Sequence, residues 1–189
     1  SKTDYNLRAP SGRNPKDFWN YSGRDYAGTW KLREQGQPFF TVYNIGDSHE
    51  SRAFGDHKDD SVDPRKMILA PYHPDLPEMR NTYAKYSSAV SKMDSLVGQA
   101  VQTLKQDGLY ENTIIVYNSD HGGVLARSKR FLYSSGIHCP LIVRIPEKWQ
   151  HLYPKGKSPG STVDRIVSFI DMPKTWVSLT GADMKDNFQ

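Results

Sequence analysis

The change of hydrophobic period at Glu78 constrains the fold more than any other feature of this sequence. From Glu78 to about Gln106, the residues Tyr83, Tyr86, Val90, Met93, Val97, Ala100 and Leu104 recur every three or four positions with polar residues between them. This is the stripe of one long amphipathic helix. Gly108 ends it, and Asn112 and Thr113 open the run Ile114-Ile115-Val116-Tyr117, whose β-branched and aromatic residues predict a buried strand. The run 39–45, bounded by Pro38 and Gly46, reads the same way, and 141–145, after Pro140, reads as a third strand. Asp164 to Thr180 predicts a short strand or loop and then a helix beginning near Pro173. Strand, long helix, strand, loop and strand is the arithmetic of an α/β domain. The expectation is a mixed, mostly parallel sheet with strands at 39–45, 113–118 and 141–145, flanked by helices, with 78–106 packed on one face.

Length allows one domain with a real core and no visible linker between two, at 189 residues. Residues 1–37 read as irregular chain anchored by aromatics such as Trp19 and Trp30, with a short helix around Tyr26 to Arg33, and 38–182 as the α/β core. Between the first strand and the helix, 46–77 is loop-like and carries His49, His57 and His73, a length that usually marks function or a lid. Hydrophobic residues make up 37% and no apolar run approaches the roughly 20 residues of a membrane span, so no membrane partner is expected. The net charge of +4 is spread along the chain without a basic block, so nucleic acid is not an expected partner either. Cys139 is the only cysteine, which excludes an intrachain disulfide and a Cys-rich zinc site. Ser1 reads as mid-domain chain, and the polar run 183–189 follows a helix directly, so further chain is expected upstream, and downstream as well.

In open α/β sheets ligands bind beyond the carboxyl ends of strands. Two segments stand there: Asp47-Ser48-His49-Glu50-Ser51-Arg52 after the first strand and Asp120-His121-Gly122-Gly123 after the second. An Asp and a His followed by two glycines suit a divalent-metal corner, because glycines let backbone approach an ion closely. From spacing alone they suit a capped turn equally well.

The segments Asn118-Ser119-Asp120-His121-Gly122 and Ser128 to Val143, with Lys129, Leu132-Tyr133, Gly136 and Pro140-Leu141-Ile142-Val143, resemble the second half of the sulfatase signature in the alkaline phosphatase superfamily. The Phe39-Phe40 strand with its trailing Asp47 to Ser51 resembles the histidine segment of bacterial enzymes similar to heparan N-sulfatases. Val167 to Thr175 is similar to the family's Ser-x-x-Asp-x-x-Pro-Thr segment. The ordered matches run from about 38 to 182.

That resemblance implies an alkaline phosphatase-like fold and a calcium-dependent hydrolase of sulfate esters or sulfamates. It makes Asp120 a calcium ligand and puts His121 at the neighbouring ligand position, where a ring nitrogen suits hard, oxygen-preferring calcium less well. Lys129 would bind sulfate oxygens, and His49 would contact the sulfate or protonate the leaving group. The family's formylglycine, made from Cys or Ser in Cys/Ser-x-Pro-x-Arg, has no counterpart here, and Cys139 precedes Pro140 directly. The nucleophile and two further aspartates are therefore expected in a missing N-terminal part of the same enzyme, and the 189-residue chain alone is expected to be inert and to self-associate. The resemblance favours a sulfated small molecule or sugar as substrate and a periplasmic, secreted or lysosomal location. A phosphodiesterase or phosphonate hydrolase of the same superfamily, or a non-catalytic binding domain, are the alternatives.

Overall fold

The computed structural model of the chain describes residues 19–21, 23, 28–54 and 61–182. In chain order they form helix α1 (Glu50–Phe54), helix α2 (Pro77–Gln106), strand β1 (Ile115–Asn118), helix α3 (Ser134–Ile137), strand β2 (Leu141–Arg144) and helix α4 (Met172–Leu179), with short 3-10 turns between them. The chain divides into two units, residues 1–152 and 153–189.

In the first unit the organising element is α2, and its ends are written locally. Pro77 sits in the first turn, where its missing N–H costs nothing. Gly108 takes φ 69, its N–H bonds to the Lys105 carbonyl at 3.1 Å and that of Leu109 to Leu104 at 3.0 Å, the pair of bonds that closes a Schellman motif. The 30 residues span about 45 Å. Ala84, Met93 and Leu104 are buried along the stripe and the remaining stripe residues are half-buried. The helix packs against α1 and the turn Pro64–Lys66. At its C-terminal end the Trp30 indole, only 3% exposed, donates to Asp107 Oδ2 at 2.7 Å, and Lys31 pairs with the same carboxylate at 3.1 Å. Trp30 is thus an anchor between the N-terminal segment and α2. It lies in a 3-10 turn, Thr29–Leu32, near the expected short helix, of which Tyr26 and neighbouring residues lie outside the described region.

The sheet departs from expectation. Among the described residues it has two strands, β1 and β2, and they pair antiparallel, Ile115 opposite Arg144 and Asn118 opposite Leu141. The 22 residues between them turn back instead of crossing over. Segment 39–45 is extended but is not a strand of this sheet. It keeps the period of a strand, with Phe39, Thr41, Tyr43 and Ile45 half-buried and Phe40, Val42 and Asn44 exposed. The inner face rests on Trp30, whose ring lies 5.8 Å from Phe39 and 6.2 Å from Tyr43. In strand β2, Leu141, Ile142 and Val143 are exposed. A two-stranded ribbon gives each strand one neighbour, so its outer surface meets solvent. Its polar edge is tied down by Arg144, which lies over the Tyr110 ring at 3.6 Å, pairs with Glu111 at 2.8 Å and donates to the Tyr110 carbonyl.

In the second unit, α4 starts next to Pro173 as the sequence indicates. Asp171 accepts the Ser168 N–H at 3.4 Å, and its carbonyl takes the Thr175 hydroxyl at 2.8 Å. Ile166, Val167 and Ile170 are exposed.

Candidate functional site

The chain leaving β1 folds into a loop whose backbone is drawn together by glycine. The Gly122 N–H donates to the Gly136 carbonyl at 2.8 Å, and the Lys129 N–H to the Gly123 carbonyl at 3.1 Å. A Cβ on Gly122 would stand 2.4 Å from the Ser135 carbonyl oxygen, and one on Gly136 only 2.3 Å from that of Phe131 and 2.4 Å from that of Ser128. Both positions therefore require glycine, because the obstacle is backbone and cannot swing away. The loop borders an open cleft of about 370 Å³ lined by Tyr86 from α2 and by Gly122, Gly123, Ser128, Ser135 and His138. Burial, and then the neighbouring Tyr117, push the Tyr86 hydroxyl up from its ordinary value.

Asp120 and His121 open this loop. The Asp120 side chain is 79% exposed and its Oδ1 lies 3.6 Å from His121 Nε2. The His121 ring turns inward, and its Nδ1 is buried without a hydrogen-bond partner. Ser119 Oγ fixes the turn by donating to the His121 carbonyl at 2.6 Å. Cys139 is near enough to feel this carboxylate, since burial and then the Asp120 charge raise its thiol above the usual range. Among the described residues no group of three or more His, Cys, Asp or Glu gathers as a metal site.

Lys129 and the segment of His49 meet through a residue that sequence reasoning did not single out. Glu50, the first residue of α1, lies with Oε1 3.4 Å from Lys129 Nζ, and Arg130 donates to the same oxygen at 3.2 Å. Its Oε2 is buried 3.0 Å from Arg130 but out of hydrogen-bond alignment. Burial pushes the Glu50 carboxyl up, but the hydrogen bonds and charges of Arg130 and Lys129 outweigh it and hold the group below its ordinary 4.5. His49 itself is exposed; the Ser51 N–H donates to its Nδ1 at 3.3 Å and Ser51 Oγ lies 3.1 Å away. With Nδ1 accepting, the proton of the neutral ring sits on Nε2. Asp47 fastens the same segment to α2 by an ion pair with Lys92 at 3.0 Å. The structure thus brings Lys129 to Glu50 and the His49 segment, pairs Asp120 with His121, and ties the Lys129 backbone to Gly123 in the loop that these two open. The signal for Glu50 was only its place beside His49; its contact is with a residue 79 positions away.

Of the remaining histidines, His73 is structural. Its Nε2 donates to the Ala126 carbonyl at 3.0 Å and its Nδ1 meets the Tyr83 hydroxyl at 2.7 Å, which in turn accepts the Ala70 N–H at 3.0 Å. His57 lies outside the described residues.

The sulfatase family model matches residues 14–182, a stretch that contains all four candidate residues. The chain belongs to the sulfatase family. With that membership the α/β fold follows, and members of this family are generally metal-dependent. This sulfatase-family chain is 31% identical to the ulvan-active sulfatase of Formosa agariphila, over all of its own length and 35% of that protein's. It is 32% identical to the N-acetylglucosamine-6-O-sulfatase of Bacteroides thetaiotaomicron, over 55% of this chain and 18% of the relative. With arylsulfatase K of Canis lupus familiaris the identity is 28%, over 58% of this chain and 20% of the relative. The chain therefore spans about a third of the ulvan-active relative and less of the others. Among the described residues no helix is long and apolar enough to cross a membrane.

Proposed function

We propose that residues 1–189 are the central and C-terminal part of the catalytic domain of a hydrolase of sulfate esters or sulfamates, acting on a sulfated sugar outside the cytoplasm. The family match across 14–182 carries this reading, and the sugar-directed names of two of the relatives support the substrate class. In the whole domain the antiparallel pair β1–β2 continues into a mostly parallel sheet that segment 39–45 joins; its strand-like period supports this.

Lys129 binds the sulfate oxygens and offsets the charge that grows on them in the transition state. The ammonium is held in place by Glu50 and remains 27% exposed, enough to reach an anion. His49, an exposed residue, donates a hydrogen bond to the sulfate or, once protonated, a proton to the leaving oxygen or nitrogen. Asp120 and His121 fit two positions of a divalent-cation site, the first through exposed carboxylate oxygens and the second through its partnerless Nδ1. Calcium takes six to eight oxygen ligands, so these two are members of a larger set. When bound, such a cation would supply polarisation of the sulfate group. The nucleophile, a formylglycine in this reading, lies outside this sequence.

The test is an assay of the longer protein that carries this segment on a chromogenic sulfate ester. Turnover is expected, with Lys129→Ala lowering kcat/KM by about a hundredfold, the scale of one lost transition-state contact. The 189-residue chain alone is expected to be inactive. Hydrolysis of a phosphodiester with none of the sulfate ester, or a Lys129→Ala enzyme as fast as wild type, would overturn the proposal.

A further inference from the structure

Arg127 has a backbone that calls for explanation. Its φ of 64 makes it the one non-glycine residue among the described ones in the left-handed region, a conformation that costs an arginine on the order of 1 kcal/mol. Neighbours hold it there from both sides. Ser135 Oγ donates to the Arg127 carbonyl at 2.6 Å, and His73 Nε2 to the preceding Ala126 carbonyl at 3.0 Å.

The conformation aims the guanidinium at two aromatic rings. It lies 4.2 Å from the Tyr133 centroid and 4.8 Å from that of Tyr72, and both tyrosines are exposed. Most other described arginines spend their N–H groups on protein acceptors. Arg33 donates to backbone carbonyls, and Arg65, Arg80, Arg130 and Arg144 each pair with a carboxylate. Among the described residues Arg52 and Arg165 have no such acceptor, but neither lies over a described ring. Arg127 alone is oriented by aromatic faces while its N–H edge meets no protein acceptor among the described residues. A guanidinium covered on its face and open at its edge is set up to grip a planar or tetrahedral oxyanion with two parallel hydrogen bonds. Its position narrows the ligand further. Leu125 and Ser128, on either side of it, line the cleft, and Lys129 is two residues away.

We propose that Arg127, held by Tyr72 and Tyr133, forms an oxyanion subsite for a second anionic group of the substrate, a carboxylate or another sulfate, beside the sulfate bound by Lys129. The subsite rests on the reading of the chain as part of a sulfatase. It makes Arg127 a specificity residue, favouring sugars that carry at least two anionic groups.

Arg127→Gly is the informative variant, because glycine adopts φ 64 without strain and leaves the loop intact while removing the guanidinium. Three hexopyranosides serve as probes for the longer protein: one with a single sulfate, the same sugar with a second sulfate, and the corresponding sulfated uronate. In Arg127→Gly the ratio of KM for a two-anion probe to KM for the single-sulfate probe is expected to rise about tenfold, the scale of a lost charge-assisted contact. Arg127→Lys should recover part of it, since a point charge lacks the fork. A rise with the uronate alone identifies a carboxylate, and a rise with the disulfate alone identifies a sulfate. An unchanged ratio with both overturns the subsite. Calorimetric affinity for the same probes, wild type against Arg127→Gly, reads the subsite without turnover. A tenfold loss there supports it even where no ester is cleaved and the sulfatase reading has failed, and equal affinities overturn it.

Discussion

The two halves of the candidate site are built in opposite ways. Around Lys129 the charges are matched within the chain, with one Glu50 carboxylate holding the ammonium at 3.4 Å and the Arg130 guanidinium at 3.0 Å. At Asp120 the carboxylate stands 79% exposed, 3.6 Å from His121 Nε2, while the other ring nitrogen, Nδ1, is buried with no partner. The first half is preorganised by its own side chains. The second is preorganised mainly by its backbone, through the glycine contacts at Gly122 and Gly136, with the Ser119 hydroxyl bonded to the His121 carbonyl.

The backbone half should break hardest. Gly136→Ala places a methyl group about a bond length inside two carbonyl contacts, and overpacking of this kind costs roughly 1–3 kcal/mol. Denaturant midpoints are expected to fall accordingly, with Gly122→Ala close behind, and a midpoint unchanged in both variants would mean that the loop is not stitched as described. Next comes Glu50→Gln, which keeps the shape of the clasp and removes its charge. In the longer enzyme proposed above it should lower kcat/KM roughly tenfold through a misplaced Lys129, less than the hundredfold that a full ångström of displacement can cause. The same substitution in the binding of a divalent cation, followed by calorimetry, should change little if the two halves are independent.

A smaller effect follows from acid. Because the Glu50 carboxyl is held below its ordinary 4.5 in the folded chain, the clasp's contribution is fully present above that ordinary value. It is lost as pH falls through the lowered one. Thermal melts of wild type and Glu50→Gln should therefore converge towards the acid side, and a gap that stays constant into acid would contradict the clasp. The smallest change is expected from Gly108→Ala, far along α2 from both halves. The left-handed residue that ends the helix would cost about 1 kcal/mol as alanine. Stability should drop without any change in KM, which separates a generic weakening of the fold from damage to the site.

Much of this could be read in advance, and the pattern of what could not has a common cause. The period of α2 and its stop signals lie within the helix, so its bounds came within a residue of 77–106. Strands β1 and β2 were legible as β-rich runs between turn residues, and Asp120, His121, His49 and Lys129 were given their roles only through the family resemblance of their segments. Glu50 and Arg127 were not, because one acts through a partner 79 positions on and the other through two tyrosines 55 positions before it and six after.

By itself, then, the sequence determined what depends on neighbours within a few residues: the long helix between Pro77 and Gly108, the extended character of 39–45, the α4 start at Pro173, and the glycines of the loop after β1. The tertiary structure decided the rest. A run of β-formers carries no record of its partner, and so the antiparallel register of Ile115 with Arg144, and the resting of 39–45 on Trp30, appeared only when the chain was folded. Charge likewise does not name its counter-charge in advance; that Lys129 faces Glu50, and that Arg127 faces rings instead of carboxylates, is set by which surfaces the packing brings within a few ångströms.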